Sequence, residues 1–344
     1  MARAHIWIVS PASKSANNGN WHTASRWARF LRTRHRVTLT QRWPADADAD
    51  AAASGVSASD AAASGAAPDL LIALHARRSA PSLAAFGAAH PLRPTLLLLT
   101  GTDLYRDIRS DAAAQAALRQ ASALVLLQPA GLDELAPPLR AKASVIYQSA
   151  APLAPIGTPT GSPRRFLDVC MIGHLRAEKD PATFMRAAAL LSAPRLRLLH
   201  VGAALEPELG ALARATAAAQ PRYRWLGPLP HAAARQRLKR CHLMVIASLM
   251  EGGANVIIEA VTSGVPVLAS DIGGNRGMLG FDYAGYFPLG DAAALAALIE
   301  RSVAEPAFYA LLQSQCAARA PLFAPAAERA ALLQLVDNLL HPQE

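Results

Sequence analysis

Acidic residues, aromatics, cysteines and long apolar runs are all scarce in this chain of 344 residues. Each shortage excludes something. Apolar stretches such as 96–99 and 124–127 are strand-length. None nears the roughly 20 residues a membrane-spanning helix needs. The N-terminal segment reads as a strand (5–10), without a long apolar stretch before a small-residue cleavage site, so no signal peptide is expected. Three cysteines, Cys170, Cys241 and Cys316, lie far apart and form no CxxC pair. That argues against a disulfide framework or a thiolate metal site and fits a reducing cytoplasm. Cys170 sits inside an apolar strand, as a small core residue does.

Acidic groups number 25 against 34 lysines and arginines, a formal net charge of +9. Such a balance points to nucleic acid, an anionic membrane face or small anionic substrates. The basic residues are scattered, and no zinc finger, helix-turn-helix or RNA-binding aromatic signature is present. Small anions are the favoured reading, with arginine-rich composition as the plain alternative. No nucleic-acid partner and no stable membrane insertion are expected.

About half of the residues are hydrophobic, enough for two cores at this length. Strand-like runs alternate with helical patterns in both halves, the signature of parallel α/β layers. Strands are expected at 5–10, 36–40, 70–74, 95–99, 123–127 and 144–147 in the first half. In the second they are expected at 166–173, 195–201, 222–226, 243–247, 265–269 and 286–289. A helix over 21–34 places Trp27 and either Phe30 or Leu31 on one face. Two composition breaks interrupt the pattern. Residues 44–68 are almost all Ala, Ser, Asp and Gly and read as a flexible insertion. Their Asp46, Asp48 and Asp50 string reads as solvated loop, not metal ligands. Residues 151–165, rich in Pro and Gly, read as a linker. The expected organisation is thus a first domain at 1–150, a linker at 151–165 and a second domain at 166–322. A C-terminal helix within 323–344 would pack back on the first domain.

The densest chemical signal runs from Ser248 to Val267. A strand enters a glycine loop (Glu251-Gly252-Gly253), and the loop opens a helix through Asn255 and Val256 to Glu259. The glycines let a ligand approach the backbone. A helix start offers free N–H groups and a partial positive charge, suited to a diphosphate. Glu251 precedes the helix and Glu259 lies one turn inside it, where carboxylates accept hydrogen bonds from sugar hydroxyls. An ordinary βαβ unit would explain the helix, but not glycines directly after Glu251.

A second signal, Gly173-His174-Leu175-Arg176-Ala177-Glu178-Lys179-Asp180-Pro181, follows the first strand of the second half. Asp180 and Pro181 make a good N-cap and first helical residue, placing Arg176 and Lys179 beside a phosphate. Weaker features lie at other strand ends, where α/β sheets bind ligands. They are Leu226-Gly227-Pro228-Leu229, the 270–275 loop, Asn17-Asn18-Gly19-Asn20, Thr100-Gly101-Thr102-Asp103 and the turn from His75 through Arg77 and Arg78. His75 could equally be a polar strand cap.

The 248–267 passage resembles the paired-glutamate signature of retaining glycosyltransferases of the GT-B fold, two Rossmann-like domains facing each other across a cleft. The resemblance covers nearly the whole chain and is strongest over 166–289. It implies metal-independent transfer from a UDP-sugar, with no cofactor. The implied catalytic set is Glu251, Lys179, Arg176 and His75. Donor binding falls to His174, Glu178, Leu226, Gly227, Leu229, Gly252, Gly253, Asn255, Val256 and Glu259. Acceptor binding falls to Lys14, Asn18, Gly19, Asn20, Arg77, Gly101, Thr102 and Asp103. The family's diphosphate clamp normally uses an Arg where His174 stands and a Gly where Asp180 stands, so His174 or Arg176 takes the clamp role.

A narrower set also matches. Asn18-Gly19-Asn20-Trp21-His22, 74–80, 100–105 and 173–180 resemble the selenosugar synthases of bacterial selenoneine biosynthesis, which join a UDP-sugar to selenophosphate. UDP-GlcNAc or UDP-glucose would then be the donor and selenophosphate the acceptor. Other readings are a transferase using a lipid or glycan acceptor at a membrane surface through a Trp21, Arg26, Trp27 and Arg29 face, a nucleotide-sugar epimerase, and a nucleic-acid binder.

Overall fold

The computed structural model describes residues 3–13, 19–44, 67–153 and 166–342. Lys14, Asn18, the Asp46, Asp48 and Asp50 string and most of the expected insertion and linker lie outside the described residues. The chain divides into two compact units, 1–148 with 325–344, and 149–324. Both are α/β, each built on a six-stranded sheet.

The first unit holds β1 (His5–Val9), β2 (Arg36–Thr40), β3 (Leu70–Leu74), β4 (Thr95–Leu98), β5 (Ala123–Leu126) and β6 (Ala143–Val145), in the order β2-β1-β3-β4-β5-β6. All pairs are parallel. The period-2 alternation of a strand explains its two cores. Ile6, Ile8, Leu70 and Ile72 face one side and pack with Trp27 and Leu31 of α1 (Gly19–Leu31). Trp7, Val9, Leu71 and Ala73 face the other and pack with Phe86 of α2 (Ala76–Ala89) and Leu118 of α3 (Ala112–Gln120). Covering both faces is what lets five consecutive residues of β1 and of β3 be buried.

The second unit holds β7 (Leu167–Ile172), β8 (Leu196–Val201), β9 (Tyr223–Trp225), β10 (Leu243–Ile246), β11 (Val267–Ser270) and β12 (Tyr286–Phe287), in the order β12-β11-β10-β7-β8-β9. These pairs too are parallel. Helices α4 (Pro181–Leu190), α5 (Pro207–Ala219), α6 (His231–Leu238), α7 (Asn255–Val261), α8 (Gly273–Leu279), α9 (Ala292–Ala304) and α10 (Pro306–Arg319) follow the strands. All twelve expected strands form. The strand expected from 265 starts at Val267, after Pro266, a residue with no N–H to give a ladder. In each sheet the strand order reverses once, between β1 and β3 and between β7 and β10. Ligand crevices of open α/β sheets form at such reversals, beyond the carboxyl ends of the strands.

The last helix, α11 (Pro325–Leu340), belongs to the first unit. Its Leu332, Leu333 and Val336 enter the core around Trp27. Its buried Glu328 accepts from Trp27 Nε1 at 2.8 Å and from Arg26 Nε at 2.7 Å. Trp27 is fully buried and Arg26 is spent on Glu328, so these two residues of the possible membrane-facing set serve packing instead. Among the described residues no helix is long and apolar enough to cross a membrane.

Two stability predictions follow from these burials. Glu328→Ala leaves the Arg26 guanidinium and the Trp27 N–H buried without their acceptor. It should cost the first unit about 3–5 kcal/mol, read by chemical unfolding, and Glu328→Gln, which keeps an acceptor, should lose less. In the second unit His200 is fully buried beside Tyr223, whose hydroxyl lies 3.0 Å from Nδ1. Burial pushes its pKa down to about 4, against about 6.5 in an unfolded chain. The folded state therefore resists protonation. Its advantage is complete above pH 6.5 and is lost as pH falls from there towards 4, to a total of about 3 kcal/mol. Melting temperatures measured between pH 7 and 4 should fall, and His200→Leu should flatten the fall.

Candidate active site

The reversal between β7 and β10 brings two loops together. One leaves β7 through Gly173, His174 and a single 3-10 turn, Ala177–Lys179. The other leaves β10 through Ser248 to Gly253. Leu249 N–H donates to the Glu178 carbonyl at 2.9 Å, so the loops are joined backbone to backbone. Between them the Lys179 ammonium forms a short ion pair with Glu251 Oε1. The same oxygen accepts from Ser248 Oγ at 2.6 Å. Glu251 is only 8% exposed, and a carboxylate so buried needs such donors.

The loop after β11 supports this arrangement from behind. Ser270 Oγ donates to the Ser248 carbonyl at 2.7 Å, and Asn275 Nδ2 donates to the Ser270 carbonyl at 2.9 Å. Gly274 passes so close to Glu251 that an added Cβ would collide with its carbonyl oxygen. The 270–275 loop, one of the strand-end features, is thus the floor beneath Glu251.

On the other flank, Asp180 takes a left-handed backbone, φ 41° and ψ 58°, and its side chain caps α4 at Thr183 N–H. The expected cap and the first-turn Pro181 both form. The glycine that the resembled family carries here has the same backbone reason, since aspartate is among the few other residues that tolerate the region. His174 Nδ1 accepts from Ala203 N–H at 3.1 Å. Burial lowers its pKa, and the charges of Arg176 and Lys179 lower it further. His174 is therefore neutral at pH 7, with its proton on Nε2. It stands where the family has an arginine, but as a neutral donor; the cations of the loop are Arg176 and Lys179.

The strand ends beside it are packed through backbone. Gly202, after β8, lies against Gly173, and a Cβ there would collide with the Gly173 carbonyl. Gly202 N–H donates to the Gly227 carbonyl at 2.9 Å, and Trp225 Nε1 donates to the Gly202 carbonyl at 2.9 Å. Leu226, Gly227 and Leu229 therefore lie in the same row of strand ends as Gly173 and His174. Beyond Glu251, Gly252 and Gly253 lead to Ala254, which caps α7 without a side-chain hydrogen bond; Asn255 and Val256 are the first residues of that helix. Glu259, inside α7, meets His231 of α6, Nε2 to Oε1 at 2.6 Å.

In the first unit the loops after β3 and β4 meet beside the reversal between β1 and β3. His75 ends β3 at φ 72°, unusual for a non-glycine residue, and caps α2. It is 2% exposed, with Nε2 at 3.2 Å from Thr102 Oγ1 and 3.9 Å from Asp107 Oδ2. Burial lowers its pKa. Asp103 is fully buried. Its Oδ1 accepts from Thr100 N–H and Gly101 N–H, and its Oδ2 from Ala76 N–H. With both oxygens taken, Asp103 holds the loop together. Arg77 Nε pairs with Asp107 Oδ2 at 2.8 Å. Burial alone would raise the Asp107 carboxyl, but hydrogen bonds from Arg77 and Arg106 hold it below the usual range. Arg77 thus arrives already partnered. Gly19 and Asn20 open α1.

The structure brings Lys179, Glu251, His174 and Arg176 into one place in the second unit, and His75, Thr102, Gly101 and Arg77 into another in the first. Sequence reading missed the roles of Ser248, Gly202 and His231. The serine sits inside the recognised motif and could have been read as a partner for Glu251. His231 carries no local signal, being separated by 28 residues from Glu259. Among the described residues no three His, Cys, Asp or Glu side chains cluster to hold a metal ion.

Two glycines of this site should respond oppositely to an added methyl. Gly274→Ala drives Cβ into the Glu251 carbonyl and should cost about 1–3 kcal/mol. Gly173→Ala meets only Lys179 side-chain carbons at 3.8 and 3.9 Å and should stay within about 1 kcal/mol of the parent. Urea unfolding of the two variants checks the contrast; equal stabilities would refute it.

Residues 167–305, most of the second unit, match the family model described as glycosyl transferases group 1. No curated protein sequence is significantly similar to the chain. Among solved structures, sucrose-phosphate synthase of Thermosynechococcus elongatus aligns with TM-score 0.77 at 18% identity, over 99% of this chain and all of that one. HepE of Anabaena, solved in complex with UDP and glucose, aligns with TM-score 0.73 at 18% identity, over 98% of this chain and all of that one. A glycosyltransferase of Rickettsia africae aligns with TM-score 0.73 at 14% identity, over the whole of both chains. Two parallel six-stranded units of this kind are the GT-B fold, and residues 167–305, within it, are similar to glycosyl transferases group 1.

Proposed function

We propose that the chain transfers a hexose or N-acetylhexosamine from a UDP-sugar held by the second unit to selenophosphate, forming a carbon–selenium bond and releasing UDP. The observation that carries the donor half is the Lys179–Glu251 pair at the strand reversal, beside His174 and Arg176, within the matched glycosyl transferases group 1 domain. HepE, of the same fold, has been solved with UDP-glucose. The acceptor half rests on the resemblance at 18–22, 74–80, 100–105 and 173–180, and on the basic balance that suits a small anion.

The chemistry is electrostatic. The bond between the anomeric carbon and the diphosphate oxygen breaks, and negative charge gathers on the leaving diphosphate. A lysine ammonium carries three donors; with one on Glu251, Lys179 has two for the diphosphate. Arg176 and the His174 Nε2–H complete the cradle, so charge is met by fixed donors without a resident metal ion. Glu251, held by Lys179 and Ser248, faces the sugar. Selenophosphate is already anionic, so no strong base is required. His75 and Thr102 shape the loop that receives it, with Arg77 partly neutralised by Asp107.

Mass spectrometry of the purified chain incubated with UDP-glucose or UDP-GlcNAc and either selenophosphate or thiophosphate tests this. A sugar-linked selenium product with release of UDP is expected, undiminished by excess EDTA. No product from any pairing sinks the acceptor assignment. Turnover abolished by EDTA and restored only by Mg²⁺ or Mn²⁺ sinks the proposed electrostatics.

A further inference from the structure

Glu259 is nine-tenths buried, yet among the described residues its carboxylate has one partner, His231. His231 opens α6 two residues after Leu229, in the segment that leaves the turn at Gly227. It is half exposed, at 48% of its side chain. The pair thus runs from the surface of the strand-end row inward to α7. Oε1 is held at 2.6 Å by His231 Nε2, and Oε2 is not among the buried polar atoms shut off without a partner. A carboxylate accepts several hydrogen bonds, so Oε2 is the oxygen left for a ligand hydroxyl.

We infer that His231 is a positioning residue that fixes the Glu259 carboxylate, and that the pair makes the site select a ribonucleotide over its 2′-deoxy counterpart. This rests on the UDP-sugar reading above and adds a specificity device to it. The physical reason is rotamer control. A glutamate has three side-chain torsions, and binding must otherwise meet the entropy of fixing them. With His231 pinning Oε1, the remaining oxygen is aimed before the ligand arrives. A ligand lacking the hydroxyl leaves that oxygen buried and unpaired, and a site built to hydrogen-bond a hydroxyl strongly rejects the analogue without it.

Isothermal titration of the full chain with UDP and with 2′-deoxy-UDP tests the inference, alongside His231→Ala, His231→Gln and their melting temperatures. The parent should prefer UDP by about tenfold or more, the effect of one lost hydrogen bond to a charged group. His231→Ala should weaken UDP by about tenfold and bring the two affinities close together, with 2′-deoxy-UDP little changed. His231→Gln, which keeps a donor, should recover most of the preference, and both variants should melt like the parent. A His231→Ala variant with the parent's affinity and preference overturns the inference. So does equal loss of both nucleotides with a lowered melting temperature, which marks a merely structural residue. A parent that binds UDP without preferring it overturns the inference and leaves the donor reading standing; a parent that binds no UDP overturns both.

Discussion

Lys179 and Glu251 come from loops 72 residues apart and meet at the place where the strand order of the second sheet reverses. A carboxylate buried this deeply is costly unless it is paired and hydrogen-bonded. Its position therefore dictates much around it. Ser248 must point its hydroxyl at Oε1, and Ser270 and Asn275 hold the Ser248 backbone in turn. Position 274 must lack a side chain. On the β7 side, the single turn that carries Lys179 is possible because Asp180 takes a left-handed backbone before α4 begins. Removing either charge would strand the other in a site that excludes most water.

The site's character follows from how few of its charges are free. Lys179 is shared with Glu251 and Glu259 is held by His231, while His174 is kept neutral by burial and by its cationic neighbours. Donors and acceptors are thus set before a ligand arrives, and such preorganisation is what allows fixed dipoles to stabilise developing charge cheaply. The glycines of the strand-end row serve the same end. Gly202 against Gly173, and Gly274 against Glu251, bring backbones closer than any side chain would permit.

The first unit uses the same topological device with different chemistry. Its reversal is closed by Asp103, which accepts three hydrogen bonds from Thr100 and Gly101 of its own loop after β4 and one from Ala76 N–H at the start of α2. Gly101 at φ 147° and His75 at φ 72° are the backbone conformations that this closure imposes. The resulting rim presents Thr102 and the paired Arg77, with Asp107 set between Arg77 and Arg106 to offset their charge.

The inner strands of both sheets, such as β1, β3, β10 and β11, were legible because a strand buried on both faces is apolar almost throughout. The cap at Asp180 and Pro181 and the C-terminal helix were legible for equally local reasons: a side chain that accepts from its own helix, and an apolar stripe at helical period. The glycine-flanked Glu251 announced itself because glycine pairs have no packing purpose there. What only the tertiary structure decided is who meets whom. Arg77 reads as a free cation until Asp107 is folded against it, and nothing local says that Asp103 will take four backbone and hydroxyl donors. Arg26 and Trp27 fit either a packed helix or a membrane face by local pattern, and it is Glu328, some three hundred residues away, that fixes them in the packed one. The dipeptide pattern around His231 says nothing of Glu259. Local sequence determines backbone preference and burial, which act over a few residues; the pairing of charges depends on distances through space that only the closed sheet sets.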